Sequence, residues 1–298
     1  MNLFNKKILL AKTEAYKSQL SSQNKSDKEE LKIYLLEVLE RINSGKFGKE
    51  ESEKLRFLTK FFEFLGYLHD IDYKLEKSSI TGSSDASLGY FLQDNTIVSV
   101  EWKGVDHKDL ERKKTKTSEA PVTQLFRYMA DQQTKIGIVS NFTEIRIYHW
   151  EFQKERFHTF KLDEITTKPE VIDQLYYLLC KDNVLTQNPI ITTLARSTTE
   201  EEKIVTKKFY SEFKQVRKNL FEHLLEYNSD VDKYILLEKT QKFLDRFTFA
   251  LVAEDVTLLP RGENNMGIIR LTYKILERVV VTVEMKKYGY NLRTYFKI

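Results

Sequence analysis

A short apolar run at residues 96–100 ends in the charged triplet Glu101-Trp102-Lys103, and Asp85 precedes this triplet by sixteen positions. In a strand, successive side chains point to opposite faces of the sheet. Glu101 and Lys103 therefore share one face, and Trp102 points to the other. The pattern predicts a strand that ends with one carboxylate and one ammonium group side by side.

Asp85 lies at the end of the turn-rich segment TGSSD and leads into the sequence ASLGYFL at residues 86–92. A hairpin between this segment and the apolar run would bring the Asp85 carboxylate beside Glu101. Two carboxylates on neighbouring strands offer the oxygen ligands that Mg²⁺ prefers. A metal held there activates water and offsets charge on a phosphate, while a lysine orients the attacking water. The pattern predicts phosphodiester hydrolysis.

The main alternative for the triplet is a solvated Glu/Lys pair on an exposed edge strand, which contributes only a few tenths of a kcal/mol. Its neighbourhood favours a site, because the triplet directly follows an apolar run and precedes Gly104. A polar strand end of this kind can open onto a functional site.

The segment PVTQLFRYMA at residues 121–130 predicts a helix with Pro121 in its first turn. Gln124 and Tyr128 lie four residues apart and therefore share a helix face. We expect that face to look towards the carboxylates.

Charge is nearly balanced over the whole chain, with 48 basic and 44 acidic residues, and does not by itself indicate a polyanion partner. A local basic cluster, however, joins the charged strand to the predicted helix, where contacts to DNA phosphates would be useful. A flexible basic loop is the alternative. The cluster consists of Lys108, Arg112, Lys113, Lys114 and Lys116.

Asp85, the Glu101-x-Lys103 pair and Gln124-x-x-x-Tyr128 together resemble the PD-(D/E)XK nuclease fold. The resemblance is to the form found at the N-termini of type IIG restriction-modification enzymes and of some type I restriction subunits. It implies an α/β fold in which a mixed sheet is flanked by helices and followed by an α-helical domain.

The same resemblance implies roles for individual residues. Asp85, Glu101 and Trp102 would form the metal site, with Mg²⁺ as cofactor and Mn²⁺ as a substitute. Lys103 would orient the water, and Gln124 would assist from the helix.

Family members often carry a further acid on the helix before the first strand, and spacing selects Glu53 from the candidates Glu51, Glu53 and Glu63. An ordinary acidic helix position is the alternative for each of them. Ser84 replaces the proline that often precedes the first acid, a position that the family tolerates.

Residues 135–148 are similar to the two strands that follow the helix in this family. The family joins them by a Thr-Asn-Gly-like turn, and Phe142 stands here in place of the glycine. We expect Asn141 to supply the positive φ angle, because asparagine tolerates it.

Three regions are predicted along the chain: a helical lead-in at 1–45, the nuclease domain at 46–162 and a helical connector domain at 163–298. Within the last, the segments LDRF at 244–247 and AED at 253–255 resemble the connector of type IIG enzymes. A helix is expected over 236–260, stopped near Pro260. An amphipathic stripe from Phe209 to Leu224 is expected to be core.

In the family, the connector leads into an S-adenosylmethionine-dependent methyltransferase and a target-recognition domain. This sequence contains neither an Asn-Pro-Pro-Tyr motif nor a glycine-rich cofactor motif. We therefore predict no S-adenosylmethionine site in this chain, which is either a piece of a longer enzyme or a natural truncation.

No apolar stretch approaches twenty residues, which predicts a cytoplasmic protein of bacterial or archaeal type without a membrane partner.

The sequence has a single cysteine, Cys180, so an intramolecular disulfide and a cysteine-based zinc cluster are excluded. We expect Cys180 to lie in the core. The histidines lack metal-ligand spacing.

These observations predict a Mg²⁺-dependent endonuclease module that cuts double-stranded DNA. Specificity and methylation would come from methyltransferase and target-recognition domains of the same or a partner polypeptide, and two copies would dimerise on DNA. Two alternatives stay open: a catalytically silent DNA-binding or assembly module that retains the fold, and a nuclease that acts on RNA.

Overall fold

The computed structural model describes residues 2–48, 50–79, 82–152 and 154–259. The chain divides into two compact units, one up to Lys203 and one from Ile204 onward. Within the described ranges, every helix is too short or too polar to cross a membrane.

Two helices open the chain, α1 at Lys6–Lys17 and α2 at Ser22–Asn43. The side chains of Asn5 and Ser21 accept hydrogen bonds from the first free amides of α1 and α2. Gly45, with φ of +69°, follows the end of α2, as the sequence predicted. The helical spacing of apolar residues in α2 is confirmed, because Leu31 and Leu35 are fully buried.

A mixed six-stranded sheet forms the centre of the first unit, with the strands in the order β1 to β6. Neighbouring strands are antiparallel except β3 and β4, which are parallel. The α/β class with helices flanking a mixed sheet is thus confirmed. The elements are α3 at Glu50–Phe64, β1 at Tyr73–Ser79, β2 at Gly82–Tyr90, β3 at Asn95–Trp102, α4 at Pro121–Asp131, β4 at Ile136–Ser140, β5 at Glu144–His149 and β6 at Phe157–Lys161.

The parallel pairing of β3 with β4 requires a crossover, and α4 supplies it. Helix α4 begins at Pro121, which occupies the first helical position as predicted. Gly137 in β4 allows α4 to lie close to the sheet, since a β-carbon there would overlap the Met129 sulfur and lie 3.0 Å from Leu125 Cδ2.

Aromatic packing covers the end of β3. The Trp102 indole is fully buried, with ring centroids 5.0 Å from Phe57 and 5.9 Å from Phe61 of α3. Phe142, in the turn between β4 and β5, completes the cluster at 5.8 Å from Trp102. The side of β3 opposite to Glu101 is therefore sealed by aromatic rings.

The positive φ angle of the β4–β5 turn falls on Phe142, at +67°, and not on Asn141 as expected. Asn141 instead uses its side chain, whose oxygen accepts hydrogen bonds from the amides of Thr143 and Glu144. The left-handed region costs a residue other than glycine about 1–2 kcal/mol. Burial of the Phe142 ring offsets that strain, because the side chain is fully enclosed.

Replacing Phe142 tests this balance. Phe142→Ala loses the ring and keeps the strained β-carbon, so we expect it to destabilise the fold by about 3–5 kcal/mol. Phe142→Gly relieves the strain and should be less destabilising by about 1 kcal/mol. Urea unfolding measures both values. A glycine variant that is more stable than the natural chain would contradict the importance of the ring.

After β6 the described chain is helical. The helices are α5 at Pro169–Leu179, α6 at Lys181–Val184, α7 at Ile190–Tyr227 and α8 at Lys233–Asp255. Helix α5 belongs to the first unit and contributes Leu175 and Leu178 to its core. The domain boundary proposed after residue 162 stays a prediction. Cys180 is buried, as expected.

Two details of the last helices differ from expectation. Helix α8 starts earlier than predicted, with Asp232 capping its amides, and ends at Asp255, while Pro260 lies outside the described residues. The stripe on α7 is not fully core, since Phe209 and Val216 are 53% and 52% exposed.

His149, at the end of β5, is fully buried and neutral in the fold. Its Nδ1 accepts a hydrogen bond from the Glu151 amide, so the ring proton lies on Nε2, which donates to Thr192 Oγ1 at 3.0 Å. Burial lowers the pKa of His149 to about 4. Protonation at Nδ1 would break the bond to Glu151.

This geometry predicts a pH dependence of stability. Because the pKa is lower in the fold than the ordinary value of 6.5, stability from this group is complete above pH 6.5 and is lost as the pH falls towards 4. The loss by pH 4 is on the order of 3 kcal/mol. Urea unfolding of the natural chain and His149→Gln between pH 8 and 4 should show the difference shrinking with acid. A constant difference would contradict the prediction.

Candidate active site

The structure brings Asp85 to the end of β3. Ala86 pairs with Val100 in the antiparallel ladder, and Asp85 lies one residue beyond this pair within β2. Its carboxylate Oδ2 accepts a hydrogen bond from the Trp102 amide at 2.6 Å. The predicted hairpin is therefore formed, and the Asp85 carboxylate adjoins the main chain of the Glu101-x-Lys103 segment.

Glu101 is almost completely enclosed, with 1% of its surface exposed. Its Oε1 forms an ion pair with Lys103 Nζ, which confirms that the two side chains share a face. Within the part of the chain that the structure describes, Glu101 Oε2 has no hydrogen-bond partner. A buried carboxylate oxygen in this condition is costly, which is typical of functional sites.

The electrostatics of Glu101 depend on its burial and on Asp85. Burial raises the pKa of Glu101, and the negative charge of Asp85 raises it further, to about 8. Lys103 and Lys54 act in the opposite direction. Since the pKa stays well above the ordinary value of 4.5, burial and the second carboxylate outweigh both ammonium groups.

Lys54 is a site residue that the sequence analysis missed. It lies on α3, and its Nζ is 2.7 Å from Asp85 Oδ1. Both side chains are 14% exposed. Each carboxylate thus carries its own lysine: Asp85 pairs with Lys54, and Glu101 pairs with Lys103.

Glu53, the helix acid selected by spacing, lies in a different setting. Its carboxylate forms an ion pair with Arg41 and accepts a hydrogen bond from the Gly48 amide at 3.1 Å. Among the described contacts, none joins Glu53 to Asp85 or Glu101. Its catalytic role stays a prediction.

Trp102 contributes to the site through its main chain. Its indole is buried among the aromatic rings of α3, whereas its amide binds Asp85. Any contact of Trp102 with a metal would therefore come from its main chain.

The donor set fits a magnesium ion held by two carboxylates. The described ranges contain no group of three or more histidine, cysteine, aspartate or glutamate side chains able to hold a metal. Mg²⁺ does not require such a group, because proteins usually hold it through one or two carboxylates with water and substrate phosphates completing its shell. Glu101, with its unpartnered oxygen, and the nearby Asp85 supply two carboxylates of this kind, and Mg²⁺ binding by them stays a prediction.

Helix α4 approaches the site through Tyr128. Gln124 donates to the Tyr128 hydroxyl at 2.9 Å, so the predicted shared face is confirmed. A β-carbon at Gly82, at the start of β2, would lie 3.1 Å from the same hydroxyl. The structure thus places Gln124 and Tyr128 beside the strand that carries Asp85, and a direct role for Gln124 stays a prediction.

Ser84, which replaces the family's proline, anchors α4 to the sheet. Its hydroxyl accepts a hydrogen bond from Gln132, the residue that follows the last residue of α4, at 2.9 Å. The Gln132 oxygen in turn accepts from Ser87 and Ser99 at 3.1 and 3.0 Å. This network of hydrogen bonds holds β2, β3 and α4 together.

The basic loop between β3 and α4 is exposed at all five predicted DNA contacts, which are Lys108, Arg112, Lys113, Lys114 and Lys116. It is anchored to the core, because Leu110 is fully buried and Asn141 donates to the His107 carbonyl at 2.9 Å. Lys114 pairs with Asp106, and Arg112 lies 3.2 Å from Asp109. DNA binding by this loop stays a prediction.

No protein-family model, curated protein or solved structure matches this chain.

The pairing of Lys54 with Asp85 predicts a measurable coupling. Lys54→Gln should destabilise the fold by about 1–3 kcal/mol, because the Asp85 carboxylate loses a charged partner while partly buried. Asp85→Asn retains an acceptor for the Trp102 amide. The double variant should lose less stability than the summed losses of the two single variants, by about 1 kcal/mol or more.

Urea unfolding at pH 7 in EDTA measures this cycle. Lys60→Gln, an exposed lysine on the same helix, is the matched control and should change stability by less than about 0.5 kcal/mol. Additive effects of the two site substitutions would show that the ion pair contributes nothing.

Proposed function

We propose that this chain is a Mg²⁺-dependent endonuclease module that hydrolyses phosphodiester bonds in double-stranded DNA. The observation that carries the proposal is the meeting of Asp85, Glu101 and Lys103 at one strand end, with Glu101 buried and one of its oxygens unpartnered. A protein that only needed stability gains little from two neighbouring carboxylates in a buried setting.

Asp85 and Glu101 would hold the metal, and the main chain of Trp102 lies beside them. The bound ion supplies charge neutralisation for the phosphate and a lowered pKa for water. Lys103 keeps an ammonium group beside the Glu101 carboxylate, where it can hold a water molecule or stabilise a phosphate oxygen. Lys54 fixes the orientation of Asp85 from α3.

The surrounding fold supports this proposal. Its order of helix, strands, helix and strands agrees with the PD-(D/E)XK fold that the sequence resembles. The exposed basic loop begins directly after Lys103 and offers charges for the phosphates that flank the cut. Specificity and methylation would be supplied by methyltransferase and target-recognition domains outside this chain, and two copies would meet on DNA to cut both strands.

A catalytically silent module that retains the same fold is the second candidate. One observation favours it: both Asp85 oxygens already accept hydrogen bonds, from the Trp102 amide and from Lys54. A carboxylate has about four lone-pair sites, so these two bonds leave room for a metal. Cleavage is therefore the property that separates the two candidates.

We expect the chain to nick supercoiled plasmid in Mg²⁺ or Mn²⁺ and not in EDTA. Asp85→Asn, Glu101→Gln and Lys103→Ala should each lower the nicking rate by at least 100-fold, because each removes a metal ligand or the ammonium group. Agarose gels that resolve supercoiled from nicked plasmid measure the rate.

Asp163→Asn and Lys161→Ala remove the same charges from exposed positions, after β6 and at its last residue, and serve as matched controls. Nicking that persists in all three site variants would place the activity elsewhere. Absence of nicking by a folded natural chain would favour the silent module. The same assay on structured RNA tests the alternative of a nuclease that acts on RNA. Preferential cleavage of RNA would overturn the proposal that DNA is the substrate.

A further inference from the structure

The second unit contains a basic groove between α7 and α8. Its volume is about 430 Å³. The groove is lined by Ser211, Lys214, Gln215, Arg217, Lys218, Phe221 and Leu237. All but Leu237 come from α7, so one helix supplies every charged side chain of the lining.

The charges of the groove have one sign. Lys214, Arg217 and Lys218 line it, and among the described residues no carboxylate does. Arg217 donates to Gln241 at 3.1 Å, and Lys218 lies 3.7 Å from Glu222 outside the groove. Lys214 and Lys218 stand four residues apart, where like charges destabilise a helix. An anionic ligand in the groove would offset this repulsion.

We propose that the basic groove binds the phosphates of a nucleic acid backbone. The lining combines lysine and arginine with a serine hydroxyl and a glutamine amide, which are the side chains that contact phosphate oxygens in DNA complexes. This proposal rests on the proposed function for its choice of DNA as the nucleic acid. It adds a second contact region, distinct from the loop after β3.

The length of the groove suits a nucleic acid strand. From Ser211 to Lys218 the helix rises about 10 Å, at 1.5 Å per residue. One DNA strand advances 3.4 Å per nucleotide, so this distance corresponds to about three phosphates. Three cationic side chains lie within five residues of one helix, and such a dense row of positive charge suits the closely spaced phosphates of a nucleic acid backbone.

The test is binding of a 30-base-pair DNA duplex by the full chain in EDTA, measured by fluorescence anisotropy from 50 to 300 mM NaCl. Lys214→Gln/Lys218→Gln should weaken binding at least tenfold at 100 mM NaCl. The slope of log affinity against log salt should fall by about 2, since each lost phosphate contact removes about one unit. Adding Arg217→Gln should lower this slope by about one further unit.

Lys207→Gln/Lys208→Gln is the matched control, because it removes two exposed lysines from the same helix outside the groove. Equal losses of DNA affinity in the two double variants would overturn the proposal and indicate general charge attraction between the chain and DNA. Unchanged DNA binding in the groove variant would also overturn it.

The outcome is independent of catalysis. Binding is measured in EDTA, where the metal-dependent cleavage of the proposed function does not take place. If the chain does not nick plasmid DNA, the binding test of the groove is still valid. If the groove substitutions leave DNA binding unchanged, the nuclease proposal is still judged by nicking alone.

Discussion

Burial of the Trp102 indole is the constraint on which the candidate site depends. With this ring enclosed among the aromatic side chains of α3 and the β4–β5 turn, the end of β3 has one allowed orientation. The pleat then places Glu101 and Lys103 together on the opposite face. The Trp102 amide is held where it can bind Asp85. A hydrophobic contact on one face thus positions the charged groups on the other.

The site balances two carboxylates with two lysines drawn from different elements. Lys103 follows β3, whereas Lys54 comes from α3, thirty-one positions before Asp85. Neither ion pair lies on an exposed surface, so screening by salt weakens them less than ordinary surface pairs. The cost of enclosing Glu101 still dominates, as its raised pKa indicates. Such an arrangement sacrifices stability at one strand end and keeps charged groups close together there.

The order of helices and strands in the first unit was predictable because its signals are local. A proline at the first position of α4, a glycine after α2 and an apolar run along β3 each depend on a few neighbouring residues. Which of the adjacent residues Glu53 and Lys54 contacts Asp85 was not predictable in this way. Adjacent helix residues differ by about 100° in direction, and the rotation of α3 is set by its packing on the sheet.

The β4–β5 turn shows a second limit of sequence patterns. Asparagine is the residue that local statistics assign to a positive φ angle, yet Phe142 takes it, and in this conformation its ring is fully buried in the core. Similarly, the spacing along α7 indicated an apolar face but not whether anything covers it. Both features depend on partners distant in the sequence.

The close approach of α4 to β4 at Gly137 limits how this chain can diverge. A side chain at that position would overlap the Met129 sulfur and press on Leu125, so these side chains must rearrange or the helix must move away from the strand that pairs with β3. In a homologue with alanine at position 137 we therefore expect a compensating change at 129 or 125. Covariation among these three positions is a signature by which distant relatives of this fold can be recognised from sequence.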